Sequence, residues 1–473
     1  MNKERKLFGT DGIRGLANQF PMTGEIAMAV GRAVAHVLRG HPATLSRSSI
    51  PVGLRPLEST KPIRRAKIVV GKDTRLSGYM IEQALASGIC SMGADVILIG
   101  PLSTPGVAFV TQSMRADAGI MISASHNPYH DNGIKIFTAD GYKLPDDLEI
   151  EIERLVLKGE METVRPTGDL VGKAYRLDDI HNRYLVFLKA LFPKDMDLQG
   201  IRLVLDCANG AAYKVAPLVF EELGAEVIKF GISPNGLNIN DKCGALHPEA
   251  IAGQAIQFRA DMGIALDGDG DRCILSDENG EIVDGDQIIG LLALHMASEG
   301  LLQKNTVVTT PMSNVGLEMA LQAHGIKMVR AQVGDRHVVD LMRKEGYNLG
   351  GEQSGHIIFL DQSTTGDGIV AALKVLEAMR KTKKPLSELK KAIKLFPQVR
   401  HDVRVSRREP FEKHAEITQA IREAEEQLKT RGRVFVRYSG TEPLARVMVE
   451  GEDSTQISIL SKNIAASIQR ALG

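Results

Sequence analysis

Met262-Gly263-Ile264-Ala265-Leu266 runs straight into Asp267-Gly268-Asp269-Gly270-Asp271-Arg272. The first five residues read as a short buried strand, so the acidic segment is the loop at its end. On near-extended backbone, carboxylates at alternate positions point to one side, where they repel strongly unless a cation lies among them. The intervening glycines let the chain close tightly around that cation. Hard oxygen ligands in a small set suit Mg²⁺, which keeps positions open for water or a phosphate oxygen. Two other readings compete. As an EF-hand, the loop has Asp267, Asp269 and Asp271 at positions 1, 3 and 5 and Glu278 at position 12, but Arg272 replaces the required glycine and a strand precedes it. The other is a solvated acidic turn without a ligand.

Working outward from this loop, one layout recurs. KIVVG (67–71) is followed by a polar turn, a helix to about residue 92, a glycine and a strand at 95–99. IRLVLD (201–206), the turn Cys207-Ala208-Asn209-Gly210, a helix to about 223 and a strand at 226–230 repeat it, as do 306–310, the turn Pro311-Met312-Ser313-Asn314, a helix to about 324 and 327–331. Strand, polar turn, amphipathic helix, glycine, strand is the signature of a βαβ crossover. Three copies spaced by roughly a domain length predict three related α/β domains built by duplication. A smaller last domain follows the Lys-rich segment 381–397, itself read as a short helix and linker. The expected divisions are 1–174, 175–276, 277–393 and 394–473. Residues 41–66 carry four prolines and no sustained periodicity, which predicts an exposed insertion in the first domain.

Composition narrows the class. A chain of 473 residues is too long for one core, and 43% hydrophobic with 25% charged residues is ordinary for a globular protein. Lys plus Arg and Asp plus Glu both number 58, so no general basic character points to nucleic acid. Cys90, Cys207, Cys243 and Cys273 form no CxxC pair and read as reduced thiols of a cytoplasmic protein. The start, MNKERKLFGTDG, has no apolar h-region, and no apolar run is long enough to span a bilayer, so neither export nor a membrane is expected.

Further motifs gather polar chemistry at turns. Gly9-Thr10-Asp11-Gly12-Ile13-Arg14-Gly15 offers backbone amides and a guanidinium to an anion. Residues 118–122 form a strand that empties into Ser123-Ala124-Ser125-His126-Asn127-Pro128, a constrained turn where sites in α/β proteins collect; an ordinary Asn-Pro turn with an unreactive serine is the competing reading. Asp131-Asn132-Gly133-Ile134-Lys135 places a cation just beyond. Val333-Gly334-Asp335-Arg336-His337 precedes Gly351-Glu352-Gln353-Ser354-Gly355-His356, whose Glu, Ser and His alternate and suit sugar hydroxyls, although a structural loop would look the same. In the last domain Arg437-Tyr438-Ser439-Gly440-Thr441-Glu442-Pro443 joins two strands and supplies guanidinium, hydroxyl and backbone donors for a phosphate dianion, or forms a plain β-turn.

Taken together, GTDGIRG, SASHNP, DGDGDR, GEQSGH and RYSGTEP, in that order over nearly the whole chain, resemble the α-D-phosphohexomutase superfamily. The GEQSGH form of the sugar loop is similar to that of members acting on glucosamine phosphates. The resemblance implies an isomerase interconverting glucosamine 6-phosphate and glucosamine 1-phosphate through a phosphoserine and a 1,6-bisphosphate, on the route to UDP-N-acetylglucosamine. It also implies a fold: three α/β domains with mixed sheets and a C-terminal α+β domain around a central cleft. Ser125 would carry the phosphoryl group, and Asp267, Asp269 and Asp271 would hold one Mg²⁺ together with the seryl phosphate. Glu352 and Ser354 would read the sugar, and Arg437, Ser439, Gly440 and Thr441 would grip the phosphate that is not reacting. Arg14, Lys135 and His356 would move protons or stabilise charge. The family's primer would be glucosamine or glucose 1,6-bisphosphate, its partners an amino-sugar phosphate without nucleic acid or membrane, and its assembly a monomer or homodimer. Insertion 41–66 is longer than the family's usual connection. Mutase activity on mannose or glucose phosphates, a non-catalytic sugar-phosphate sensor and an aspartyl-phosphate phosphatase using Asp267 and Asp269 are the alternatives.

Overall fold

A computed structural model describes residues 6–9, 11–40, 65–439 and 443–473. Thr10, nearly all of the insertion 41–66, and Gly440 and Thr441 lie outside the described residues. The strand read at KIVVG is Lys67–Lys72, buried beyond its first residue. Its side chains serve two cores. Ile68 and Val70 join a cluster that includes Val34, Leu85 and Ile152 from the helices Gly24–Gly40, Ser77–Ser91 and Asp146–Lys158, while Val69 faces a second cluster. Burial on both faces is why the strand reads as an unbroken apolar run instead of an alternating one.

The duplication extends beyond the βαβ pairs. Lys67–Lys72 lies between Asp95–Pro101 and Ala118–Ile122, parallel to both, and Asp131–Thr138 closes antiparallel against the latter. Arg202–Asp206, Glu226–Phe230, Met262–Leu266 and Cys273–Asp277 repeat that order, and Thr306–Thr309, Lys327–Arg330, Leu349–Gly351 and Ile357–Phe359 repeat it again. The crossovers between the first parallel strands are Ser77–Ser91, Val215–Glu222 and Val315–Ala323. Each unit therefore ends in an antiparallel hairpin whose connection holds one motif: the Ser125 loop, the Asp267–Asp271 loop and the Glu352–His356 loop. The three loops occupy one position of one repeated plan, an equivalence that periodicity did not reveal.

The first sheet grows to seven strands by adding Phe8–Gly9, Gly12–Leu16 and Ala174–Arg176. Gly12–Leu16 pairs with Asp131–Thr138, putting Arg14 opposite Gly133 and the first motif beside the Ser125 hairpin. One apolar cluster runs from Val69 and Ile97 through Leu205 and Ile264 to Val307 and Leu349, so the first three units share a core. The fourth unit, the antiparallel sheet Gln398–Arg404, Leu444–Gly451, Gly432–Tyr438 with helices Ala415–Leu428 and Ser454–Leu472, has a cluster of its own built on Val403, Val447, Ile457 and Ile464. Among the described residues, no helix is long and apolar enough to cross a membrane.

Candidate active site

The Ser125 loop starts where the strand Ala118–Ile122 ends. Ser123 Oγ donates to Asp73 Oδ2 (2.7 Å) and accepts from the Ser125 N–H (2.9 Å). Ser125 itself has φ +52°, a left-handed backbone that a non-glycine residue adopts only when its surroundings impose it. Its hydroxyl, buried at 1% exposure, donates to Asp267 Oδ2 at 2.7 Å. His126 Nδ1 stands 3.2 Å from Ser125 Oγ. Burial, then the charges of Arg272 and Arg14, pull that imidazole down to about 4, so it is neutral at physiological pH.

The acidic loop is a turn, not the near-extended segment the alternation suggested. Gly270 N–H donates to Asp267 O (3.0 Å), and Gly270 has φ +69°. Its carboxylates converge because the chain reverses, bringing one oxygen each of Asp267, Asp269 and Asp271 within 4.8 Å of one another. All three residues are buried. Asp269 is further held by the N-terminus of helix Thr104–Ser113, where Thr104 Oγ1 donates to Asp269 Oδ2 (2.6 Å) and the positive end of the helix dipole favours an anion. Gly268 lets the loop touch its neighbour: a Cβ there would sit 2.6 Å from Ser125 O.

These carboxylates fit a divalent cation. Asp269 Oδ1 and Asp271 Oδ1 are buried without a hydrogen-bond partner, which is costly unless something positive meets them. Burial, then Asp271 and Asp269, push the Asp267 carboxyl well above its usual range, so the cluster repels itself. Burial opposes ionisation of Asp271 too, but Lys135 and His356 outweigh it and hold that carboxyl well below the ordinary value. An all-oxygen, strongly acidic donor set of this kind suits Mg²⁺.

Cations predicted for the site come together around the loop. Lys135 Nζ, almost fully buried, lies 2.8 Å from Asp269 Oδ2, 3.3 Å from Asp11 Oδ2 and 3.6 Å from Asp271 Oδ2. Burial works against its charge, yet Asp11, Asp269 and Asp271 raise its affinity for the proton above the usual lysine value. Arg14 pairs with Asp11, not with Ser125. His356 sits with Nδ1 3.6 Å from Asp271 and Nε2 3.4 Å from Asp335. Its Nε2 is under competing demands, because the Gly366 N–H points at it (3.1 Å) and needs a lone pair. Burial also disfavours the charged ring, but Asp271, Asp335 and Glu352 lift it to about 9. With three carboxylates against one amide, the protonated ring is favoured.

Residues Glu352 to Gly355 form a turn, not an extended segment. Gly355, at φ +90°, turns the chain, and its N–H donates to Glu352 O (3.0 Å). Glu352 stays partly buried with Gly334 N–H on its Oε1 (3.3 Å), and burial raises its carboxyl, while Ser354 is exposed. Arg437, cross-strand from Arg446, has its guanidinium lowered by burial and then by Arg446 and Arg400, a concentration of positive charge on the fourth sheet. Ser439 follows it, buried.

Several participants were not singled out in the sequence. Asp11, Lys143 and Asp335 form an ion-paired chain in which Lys143 Nζ contacts Asp11 and lies 2.5 Å from Asp335 Oδ2, tying the first unit to the third. Arg272, the last letter of DGDGDR, adds its charge beside Asp267 and Asp271. Motif spacing could have nominated Asp11 and Arg272; Lys143 is legible only in three dimensions.

Family models describing phosphoglucomutase/phosphomannomutase match the chain in four consecutive parts: α/β/α domain I over residues 5–54 and 57–163, domain II over 182–280, domain III over 284–396 and the C-terminal domain over 402–467. The chain is 56% identical over 470 residues to the phosphoglucosamine mutase of Syntrophotalea carbinolica, covering 99% of this chain and 98% of that one. It is 55% identical over 469 residues to that of Pelobacter propionicus, covering 99% of both. Among solved structures, a phosphoglucomutase/phosphomannomutase family protein of Burkholderia thailandensis superposes with a TM-score of 0.77 at 22% identity, covering 99% of this chain and 98% of the other. Aspergillus fumigatus N-acetylphosphoglucosamine mutase, solved with GlcNAc-6P and magnesium, gives 0.68 at 17% identity, covering 99% and 96%. With its four units, its three equivalent loops and near full-length relatives above half identity, the chain belongs to the phosphoglucosamine mutases of the α-D-phosphohexomutase superfamily.

Proposed function

We propose that the chain interconverts glucosamine 6-phosphate and glucosamine 1-phosphate with Ser125 as the phosphoryl carrier. The observation that carries this reading is the Ser125 hydroxyl, 2.7 Å from Asp267 in a buried acidic cluster that Lys135 also faces. Phosphoseryl Ser125 gives PO₃ to the free sugar hydroxyl: the Ser Oγ–P bond breaks, a sugar O–P bond forms, and the proton lost by the sugar hydroxyl is relayed to the departing Ser Oγ. The 1,6-bisphosphate then turns around, and its other phosphate returns to Ser125. Because phosphoryl transfer is loose and metaphosphate-like, the protein's part is alignment and charge balance.

Mg²⁺ held by Asp267, Asp269, Asp271 and the seryl phosphate would supply charge neutralisation at the leaving oxygen. Lys135, buried against that cluster, would balance the oxygens in flight, and Arg14 would add charge from the neighbouring strand. His356, between Asp271 and Asp335, would join Arg14 and Lys135 in moving protons or stabilising charge. Glu352 and Ser354 are assigned to the sugar hydroxyls, and Arg437, Ser439, Gly440 and Thr441 to the distant phosphate. Glucosamine or glucose 1,6-bisphosphate would prime the serine. Four free cysteines agree with a cytoplasmic enzyme, and a monomer or homodimer would be its active form.

Intact mass with peptide mapping tests the carrier. Incubation with glucose 1,6-bisphosphate is expected to add one acid-stable phosphoryl group at Ser125. Ser125→Ala is expected to lose at least ~1,000-fold in kcat with its fold intact. Turnover by that variant, or an acid-labile acyl phosphate on Asp267, would overturn the reading. Assays on glucosamine, glucose and mannose phosphates check the substrate, with glucosamine phosphate expected to be preferred.

A further inference from the structure

Something must hold Ser125 in its left-handed conformation, and the structure places a buried guanidinium directly beneath it. Arg75, at 0% exposure, follows the strand Lys67–Lys72 in the segment Asp73-Thr74-Arg75. Its Nη2 donates to Ser125 O (2.9 Å) and Asn127 O (2.8 Å), and its Nη1 donates to Asp131 O (3.0 Å) and to Pro128 O. Its Nε donates to Asp73 Oδ2 (2.7 Å), the same oxygen that accepts from Ser123 Oγ, whose hydroxyl in turn accepts the Ser125 N–H. Every N–H of the guanidinium is thus committed. Through this chain the amide before Ser125 and the carbonyl after it are both fixed.

A second hand comes from another unit. Asn240 Nδ2, buried, donates to Ser125 O (2.9 Å) and Asn127 O (3.1 Å), while the Asn240 N–H is anchored on Ala208 O (2.9 Å) in the second unit. Neither Arg75 nor Asn240 reaches the Ser125 hydroxyl in this network; both act on the backbone that aims it. A planar fork of fixed donors can collect several carbonyls at once, whereas a lysine ammonium offers three donors on a flexible stem.

We propose that Arg75 and Asn240 are positioning residues that aim Ser125 for phosphoryl transfer, with Asn240 making that aim depend on how the second unit docks against the first. The inference rests on Ser125 being the phosphoryl carrier. Misplacing a reacting group by about 1 Å costs on the order of 100-fold in rate, and the loss falls on the chemical step, since neither side chain is placed to touch the sugar.

Arg75→Lys and Asn240→Asp test this. Aspartate keeps the size of asparagine and tolerates its left-handed backbone (φ +57°) but brings no N–H to the two carbonyls. For each variant, the single-turnover rate of Ser125 phosphorylation by glucose 1,6-bisphosphate is followed by mass, alongside kcat, KM for glucosamine 6-phosphate and the thermal unfolding midpoint. The expected result is a fall of roughly 30- to 100-fold in both kcat and the phosphorylation rate, with KM changed by less than about threefold even where the Asn240→Asp midpoint falls. If Arg75→Lys does not fold, Asn240→Asp decides alone. A parental phosphorylation rate in Asn240→Asp, or losses that track the melting midpoint and KM together, would overturn the proposal. Were the parent itself to gain no phosphate at Ser125, the carrier reading would fail instead, so the two failures are told apart.

Discussion

Two aspartates four residues apart show how strongly environment decides charge. Asp267 and Asp271 are both buried in one turn, yet burial with two carboxylate neighbours drives the first up, while Lys135 and His356 bring the second down against the same burial. Asp286, outside this cluster, has no such cation. Its Oδ2 accepts the Asn314 N–H (2.8 Å), and burial followed by Asp284 pushes the carboxyl up to about 7 against that bond and the Ser313 hydroxyl. A raised carboxyl pKa means the folded state holds a proton that the unfolded chain has released, so this group lowers stability as pH rises from about 4 to 7 and contributes no further slope above. Asp286→Asn keeps an acceptor for Asn314 and removes the titration. We expect it to flatten that part of the pH profile and to stabilise the protein at pH 8 by about 2–4 kcal/mol. Chemical denaturation across pH 4–8 measures both, and an unchanged slope in the variant would rule the explanation out.

At the scale of elements, the antiparallel hairpin at the end of each unit carries one of the candidate site loops. Its connection is free of the hydrogen-bond ladder, so it can hold polar groups at the strand's end while the strands stay buried. Contact between two such loops requires Gly268, because a Cβ there would lie 2.6 Å from Ser125 O and 2.7 Å from Asn240 Nδ2. Neither backbone nor clamp can give way without moving the serine. Gly268→Ala is therefore expected to cut kcat by about 100-fold while the melting midpoint falls only modestly; parental kcat would show that the loops tolerate separation. The strands and crossover helices were legible because runs such as KIVVG and MGIAL are buried on both faces. The loop shapes were not: alternation predicted extended backbone at Asp267–Asp271 and 352–356, whereas Gly270 and Gly355 reverse the chain at each. A period-two pattern of carboxylates and glycines fits a strand and a turn equally well.

At the scale of the molecule, one shared core unites the first three units and a separate core builds the fourth. The fourth is latched through a small polar cluster. Buried Glu450 accepts from Val315 N–H (3.2 Å), Arg433 Nε (2.8 Å) and Gln398 Nε2 (2.6 Å), and Arg433 also donates to Ser313 O (2.9 Å). Losing Arg433 leaves a buried carboxylate short of its cation, a change that costs about 3–5 kcal/mol in comparable buried pairs. Because Ser313 and Val315 belong to the third unit, that cost falls on the docking of the last one. Arg433→Met is expected to speed limited proteolysis of the 390–398 connection and to raise KM for glucosamine 6-phosphate by about tenfold, with a smaller change in kcat. Proteolysis and KM matching the parent would mean the latch does not hold the unit.

By itself the sequence determined that the chain is α/β, that it repeats, and that Asp267, Asp269 and Asp271 form a candidate donor set for a cation, because apolar runs, crossovers and clustered charge are local properties of the chain. Only the tertiary structure decided that the Ser125, Asp267 and His356 loops hold equivalent places, that Lys143 joins Asp11 to Asp335, and that Arg75 and Asn240 grip the serine's backbone. Those are contacts between residues tens to hundreds of positions apart, created when three sheets close on a common core, and no spacing within one segment encodes them.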